Sequence, residues 1–158
     1  MRGRFLAQGQ VSRGSLCAAT WLLRRIFVDT SAFYALIDGD DQHDEVADQI
    51  FRRAEREKWR LITTNAVVFE THALLVNRFR SRREVAVAFL DSVLTDRYQV
   101  VRALRSDEGR AVAIVRAHRD KSYSLCDALS FVVMERLRVR DAISFDQDFR
   151  SFGRFAIL

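Results

Sequence analysis

A chain of 158 residues is long enough for one domain with its own hydrophobic core. Hydrophobic residues make up 49% and charged residues 30%, and no apolar stretch reaches the length of a membrane-spanning helix, so the composition argues against a disordered or membrane-embedded chain. The net charge of +5 fits an anionic partner such as RNA, but it fits a basic soluble protein without such a partner equally well.

The N-terminal stretch differs from the rest of the sequence. Residues 1–23 contain three of the six glycines and show no sustained hydrophobic period, so we predict an N-terminal extension that is disordered or loosely attached, followed by a globular domain over residues 24–158. The apolar patch from Leu16 to Leu23 is too short and wrongly flanked for a signal peptide. Cys17 and Cys126 belong to no metal or disulfide motif, and reduced thiols in a cytoplasmic protein are the default.

The domain alternates short apolar runs with segments of helical spacing. Strands are predicted, in chain order, over residues 26–28, 60–64, 98–101, 142–145 and 155–158. Helices are predicted between them over residues 31–37, after the acidic pair at 40–41, and over 65–79, 81–94, 106–118 and 124–137. Strands that alternate with helices imply parallel pairing, so we predict an α/β fold: a three-layer α/β/α sandwich with a central, mostly parallel sheet.

Four helix starts are predicted from polar residues that can cap a helix. Ser31 and Asn65 each stand at the beginning of a helical segment. Ser81 and Glu84 have the spacing of a capping box, and Ser124 opens the helix over residues 124–137. That helix is apolar on most sides, so it should be largely buried.

Five acids fall near the ends of the predicted strands or at the start of the buried helix. Asp29 directly follows the first strand, and Asp146 directly follows the fourth, with Asp148 close behind. Glu70 lies in the first turns of the helix after the second strand, and Asp127 lies near the start of the buried helix. Because ligands of an open α/β sheet bind beyond the carboxyl ends of its strands, we expect these acids to converge.

Converging carboxylates repel each other, and burial adds to that penalty, so a cation is the expected occupant of such a cluster. Ligand sets made only of oxygen select hard cations, here Mg²⁺ or Mn²⁺. These ions keep several waters and bind substrate phosphates, which suits phosphodiester hydrolysis.

Each acid also has a purely structural interpretation. Asp29 can cap the helix after the first strand, and Glu70 can be an acid that the helix dipole favours. Ser124 and Asp127 have the spacing of a capping box, and the two acids after the fourth strand can be ordinary loop residues. Only their joint placement near the strand ends favours a metal site.

Four segments together resemble the motifs of PIN-domain ribonucleases, and the chain is similar to VapC-type toxins of type II toxin–antitoxin systems. The segments are FVDTSAF at 27–33, TTNAVVFE at 63–70, SLCDALS at 124–130 and SFDQDF at 144–149. Their order and spacing both match, over about residues 25–158. Asp41 and His43, before the second helix, are also similar to VapC-type sequences.

The resemblance implies a site and an activity. Four carboxylates would carry catalysis and bind metal: Asp29, Glu70, Asp127 and Asp146. Asp148 would be a further or alternate metal ligand. Supporting hydrogen bonds would come from Thr30, Ser31, Asn65 and Ser124. The expected protein is a Mg²⁺- or Mn²⁺-dependent endoribonuclease of the cytoplasm, a homodimer that is inhibited by a small antitoxin protein.

Other interpretations stay open at this level. A haloacid-dehalogenase-like phosphatase also has an Asp after its first strand, but it expects a second Asp where Ser31 stands. A receiver domain expects paired acids near the first strand and a lysine after the fourth, and this chain has neither at those places. A non-catalytic PIN-like module that binds RNA or protein is the main alternative, and the complete set of four acids argues against it.

The remaining polar residues give weaker indications. The three histidines, His43, His72 and His118, share no metal-ligand spacing. Two arginine clusters, Arg78 to Arg83 and Arg136 to Arg140, are candidates for contact with RNA phosphates, although cations at a helix end have a structural role as well.

Overall fold

The computed structural model describes residues 23–158, so the predicted extension lies outside the described residues except for Leu23. Five strands and seven helices alternate along this part of the chain. They are β1 (Arg25–Val28), α1 (Thr30–Ile37), α2 (Asp44–Arg56), β2 (Arg60–Thr64), α3 (Asn65–Arg78), α4 (Arg83–Val93), β3 (Tyr98–Val101), α5 (Arg105–Ala117), α6 (Leu125–Leu137), β4 (Asp141–Ile143), α7 (Gln147–Phe152) and β5 (Ala156–Ile157). None of these helices is long and apolar enough to cross a membrane.

The five strands form one sheet in the order β3-β2-β1-β4-β5, and every neighbouring pair is parallel. The predicted α/β class is therefore confirmed. Strand β1 lies at the centre, and its residues Ile26, Phe27 and Val28 are completely buried. A continuous apolar run is what a strand needs when helices cover both faces of its sheet.

The direction of the chain across the sheet divides the helices into two layers. The chain moves one way from β1 through β2 to β3 and the other way from β4 to β5. Right-handed crossovers then place α1–α4 on one face and α5–α7 on the other. Ring contacts fit this division, since Phe33 lies 5.3 Å from Phe89 in one layer and Phe131 lies 4.9 Å from Phe149 in the other, measured between ring centroids.

The starts of α1 and α3 differ from the prediction. Asp29 caps α1 by accepting from the Ser31 amide, so Ser31 is not the cap. Thr64 caps α3 by accepting from the Val67 amide, and Asn65 is already the first helical residue. An N-cap residue keeps an extended backbone, and in both cases the extended polar residue at the strand's end takes that role.

Two capping boxes were predicted, and one of them forms. Ser124 and Asp127 bond reciprocally at the start of α6, and the middle of this helix is buried as expected. Helix α4 begins later than predicted, with Arg82 at the N-cap and no side-chain cap bond. A capping box needs the serine at the N-cap and the acid three residues later. Ser81 lies one residue before the N-cap and Glu84 only two residues after it, so the box does not form.

The segment after β4 is also reorganised. Strand β4 ends at Ile143, two residues earlier than predicted, and the short helix α7 was not predicted. Asp146 caps α7 by accepting from the Asp148 amide at 2.8 Å. The two acids of this segment are thereby held on the first turn of a helix and not on a free loop.

Candidate active site

Strands β1 and β4 are neighbours, but the chain leaves them in opposite directions. Such a switch point opens a crevice at the carboxyl ends of the two strands. Asp29 stands at the end of β1, and its amide donates to the carbonyl of Ile143 at the end of β4, at 3.1 Å. The fold therefore places Asp29 at the position where an α/β sheet binds its ligands.

The Asp29 carboxylate is buried, with 3% of the residue exposed. One of its oxygens, Oδ2, accepts from the Ser31 hydroxyl at 2.7 Å and from the Ser144 hydroxyl at 3.1 Å. Burial raises the pKa of Asp29 to about 6, although the hydrogen bonds from Ser31 oppose that rise, and the negative charge of Asp127 adds to it. The charged form of the Asp29 carboxylate is therefore unfavourable unless a cation lies nearby.

Ser144 joins the ends of β1 and β4. Its hydroxyl donates to Asp29 and accepts from the Asp146 amide at 3.2 Å. The Ser31 hydroxyl makes a second link, since it accepts from the Phe145 amide at 2.9 Å. No role was predicted for Ser144 itself, because nothing in a serine two residues before an acid indicates a bond to a residue 115 positions away.

Three carboxylates converge on the α6 and α7 side of the crevice. Oxygens of Asp127, Asp146 and Asp148 all lie within 4.8 Å of one another. Burial raises the pKa of Asp127, its bonds with Ser124 oppose the rise, and the charges of Asp146 and Glu70 add to it. Two serines hold the trio in place: Ser124 through the capping box and Ser122, which donates to Asp148 at 3.0 and 3.2 Å.

Glu70 approaches the crevice from α3. The Thr30 hydroxyl donates to its Oε2 at 2.5 Å, which joins the start of α1 to α3. The half-buried thiol of Cys126 lies beside Glu70, and its pKa is raised by burial first and by the Glu70 charge next. This thiol is therefore held protonated beside the acids.

One open cleft of about 880 Å³ contains nearly all of the predicted site residues. The predicted residues that line it are Asp29, Thr30, Ser31, Glu70, Ser124, Asp127, Asp146 and Asp148. Asn65 does not line it, and its Oδ1 accepts from the Ala103 amide at 2.9 Å. The structure thus brings eight of the nine together, and it engages the Asn65 oxygen in fixing the segment before α5.

The two arginine clusters have different surroundings. Arg78 lines the mouth of the cleft, where its Nε donates to the buried Asp38 at 2.7 Å and leaves the side chain about half exposed. Arg136 instead bonds the buried Asp107, with its Nε 3.0 and 3.1 Å from the two carboxylate oxygens. Arg78 therefore lines the same cleft as the carboxylates while it is paired with Asp38 and Asp40, whereas Arg136 stabilises the packing of α5 on α6.

The donors in the cleft fit a hard divalent cation. Six acids line it, the five predicted ones and Asp41, and all of them offer oxygen. The trio is close enough to share one ion, and burial and, to a lesser extent, neighbouring negative charges raise the pKa of Asp29 and Asp127. A bound cation would remove this repulsion. The arrangement can hold an ion and a phosphate together in a cleft that is open to solvent.

A model of the PIN domain family matches residues 26–154. The chain belongs to the PIN-domain family. This finding overturns the phosphatase and receiver alternatives. Among known proteins, the 23S rRNA-specific endonuclease VapC20 of Mycobacterium tuberculosis is 33% identical over 128 residues, which cover 81% of this chain and 94% of the relative. The resemblance expected from the four sequence motifs is thereby confirmed.

Solved structures agree with this assignment. The crystal structure of Mycobacterium tuberculosis VapC20, described as a sarcin-ricin loop cleaving toxin, has a TM-score of 0.74 and 30% identity, and the match covers 82% of this chain and 95% of that one. VapBC2 of Rickettsia felis, bound to a DNA fragment from its promoter, has a TM-score of 0.63 and covers 85% and 97% at 9% identity. A toxin–antitoxin complex from Klebsiella pneumoniae has a TM-score of 0.56 and covers 84% and 95% at 15% identity. The last two show the fold alone.

Proposed function

We propose that this protein is a metal-dependent endoribonuclease that hydrolyses phosphodiester bonds of RNA, and that it is the toxin of a toxin–antitoxin pair. The observation that carries the proposal is that the five predicted carboxylates all line one open cleft of a PIN-family chain. Oxygen donors in this number favour Mg²⁺ or Mn²⁺ over softer metals.

Asp29, Glu70, Asp127 and Asp146 would hold the cation, with Asp148 as a further ligand. A bound ion of this kind supplies an activated water and neutralises charge on the phosphate. The hydroxyl groups of the cleft orient the acids so that little rearrangement is needed on binding. Arg78 would attract the RNA backbone at the mouth of the cleft.

The relative of known specificity suggests where to look for a substrate. VapC20 is named as specific for 23S rRNA, and its structure is described as that of a toxin that cleaves the sarcin-ricin loop. We propose ribosomal RNA as the substrate class of this chain. A stem-loop RNA with the sequence of the sarcin-ricin loop is therefore the first probe.

Cleavage of that RNA is expected with Mg²⁺ or Mn²⁺ and not in the presence of a chelator. The reason is that the carboxylates alone repel a phosphate, whereas the bound cation attracts it. The measurement is a map of cut sites on intact ribosomal RNA and on the stem-loop. Equal cleavage in chelator would contradict the metal-dependent mechanism, and no cleavage of any RNA would favour the non-catalytic alternative.

The proposed partners are a small antitoxin protein and a second copy of this chain, both in the cytoplasm. A carboxylate-lined cleft suits a protein inhibitor that inserts an Arg. Exposed apolar side chains, including Phe69 on α3 and Leu125 on α6, support a protein interface. Light scattering of the purified protein would measure the number of copies.

Expression of the chain alone is expected to stop growth, and co-expression of the neighbouring open reading frame is expected to restore it. The matched controls are Asp146→Asn, which should be harmless, and Asp141→Asn, which should stop growth as the unsubstituted chain does. Asp141 is paired with Arg24 at the other end of β4 and lines no part of the cleft. Harmless expression of a protein that cleaves RNA in vitro would argue against the toxin role.

A further inference from the structure

Two aromatic rings stack against each other beside the carboxylates. The centroids of His43 and Phe145 are 4.6 Å apart, and the ring planes differ by 7°. Both residues are half-buried, and both line the same cleft as the acids. They come from different parts of the chain, His43 from the segment before α2 and Phe145 from the segment after β4.

Hydrogen bonds hold the backbone of both residues in place. The Phe145 amide donates to the Ser31 hydroxyl at 2.9 Å. The His43 amide donates to the Asp41 carboxylate at 2.8 Å, and the His43 carbonyl accepts from the Ala47 amide at 2.8 Å in the first turn of α2. The stacked pair is therefore in place before any ligand arrives, and binding to it loses little conformational freedom.

The two rings have different relations to the hydrophobic core. Phe145 packs against the core, His43 stacks on Phe145, and both residues line the cleft. Within the described residues, no group forms a hydrogen bond with the ring nitrogens of His43. Its imidazole thus combines a flat surface with two polar atoms that are available to a ligand.

We propose that the His43–Phe145 pair is a stacking platform for an unpaired nucleobase of the RNA substrate. This proposal rests on the proposed function and adds to it the binding of a particular nucleotide. Phe145 directly precedes Asp146 in the chain, so a base on the platform belongs to a nucleotide beside the phosphate that the carboxylates act on. Proteins that recognise unpaired RNA commonly stack its bases on aromatic rings, including His.

A base bound in this way contributes measurably to affinity. Stacking of one base on an aromatic side chain changes binding by roughly 5- to 150-fold on alanine substitution. A protein partner that inserts a side chain between the loops is the competing occupant. The stacked geometry favours RNA, because two parallel rings offer a flat surface to a base, and the cation that the acids would hold binds the neighbouring phosphate.

His43 is the position for the test, because substitution of the core-packed Phe145 would also disturb the fold. His43→Ala removes one ring of the platform, and His43→Phe keeps a ring there. His72→Ala is the matched control, since His72 is also half-buried but does not line the cleft. All variants are made in the full chain.

The probe is the sarcin-ricin stem-loop RNA, prepared with one nucleobase at a time replaced by an abasic site. Binding is measured with Ca²⁺ in place of Mg²⁺, since oxygen ligands also bind Ca²⁺, so that affinity is recorded with a cation present and without Mg²⁺-dependent cleavage. For the unsubstituted protein, loss of one particular base is expected to weaken binding roughly 5- to 150-fold. The same abasic site should have no further effect on His43→Ala, full effect on His43→Phe, and full effect on His72→Ala.

The outcome depends on whether the effect of a missing base changes when the His43 ring is removed. If His43→Ala weakens binding equally for every abasic RNA and stays sensitive to each, the ring is only structural and the proposal is overturned. If base sensitivity persists but growth rescue by the antitoxin is lost, the surface belongs to a protein partner, and the proposal is again overturned. Failure of the proposed function is seen separately, as absence of cleavage of the unmodified RNA with Mg²⁺ by the unsubstituted protein.

Discussion

Replacement of Asp29 by asparagine is expected to lower the rate of RNA cleavage roughly 100- to 1,000-fold while it stabilises the metal-free protein. The rate falls because a ligand charge at the proposed metal is lost, and ions of this kind contribute several kcal/mol to transition-state stabilisation. Stability rises because a buried carboxylate whose pKa is about 6 is replaced by a neutral group of the same shape.

The pH dependence of stability follows from the same pKa. The pKa of Asp29 is about 6 in the folded protein, against an ordinary value of 3.8 for an aspartate, so the folded state holds this proton more tightly than the unfolded state does. Its contribution to the free energy of unfolding is fully present below pH 4 and is lost as the pH rises through about 6. The loss amounts to about 3 kcal/mol in metal-free protein.

Thermal melts in chelator between pH 4 and pH 8 measure this effect. Over this range the stability of the unsubstituted chain should fall as the pH rises, and Asp29→Asn should lack the part of that fall that Asp29 causes. The control is Asp141→Asn, because Asp141 lies on the same sheet and is paired with Arg24 outside the cleft. This variant should cleave RNA, and its stability should decline with pH, as in the unsubstituted chain. If Asp29→Asn cleaves RNA at the full rate, Asp29 is not a ligand of the proposed metal.

The strands could be predicted because their signal is local. Strands β2 and β3 have the predicted bounds, since a short apolar run between turn signals is a property of the segment itself. Helix starts were predicted less well. Thr64 and not Asn65 caps α3, because the cap is set by where the strand's extended backbone ends, and sequence spacing locates that point only within a residue or two.

The site shows the same division between local and long-range information. The acids could be predicted because parallel strands bring their carboxyl ends to one edge. The bond from Ser144 to Asp29 and the stacking of His43 on Phe145 join distant parts of the chain and leave no periodic trace in it. Asn65 was expected to support the site, but its Oδ1 accepts from the Ala103 amide and the residue does not line the cleft.

Asp127 caps α6 and is a proposed metal ligand, and substitutions can separate these two roles. Its carboxylate accepts from the Ser124 amide at 2.8 Å in the capping box, and it also lies within 4.8 Å of the Asp146 and Asp148 oxygens. The cap interpretation and the metal interpretation from the sequence are therefore compatible. An asparagine at position 127 retains an oxygen for the cap but removes the charge, whereas Ser124→Ala removes a cap bond and keeps the charge.

Asp127→Asn is expected to be more stable than the unsubstituted chain in chelator, because burial and the charges of Asp146 and Glu70 raise the pKa of Asp127. Excess Mg²⁺ should stabilise the unsubstituted chain by mass action and should stabilise this variant less. Ser124→Ala should be less stable in chelator by roughly 0.5–2 kcal/mol and should keep most of its response to Mg²⁺. Thermal melts of the three proteins with and without Mg²⁺ provide the measurement. If Asp127→Asn is destabilised in chelator and gains as much from Mg²⁺ as the unsubstituted chain, the carboxylate acts only as a cap, and the metal would then be held by the remaining acids of the cleft.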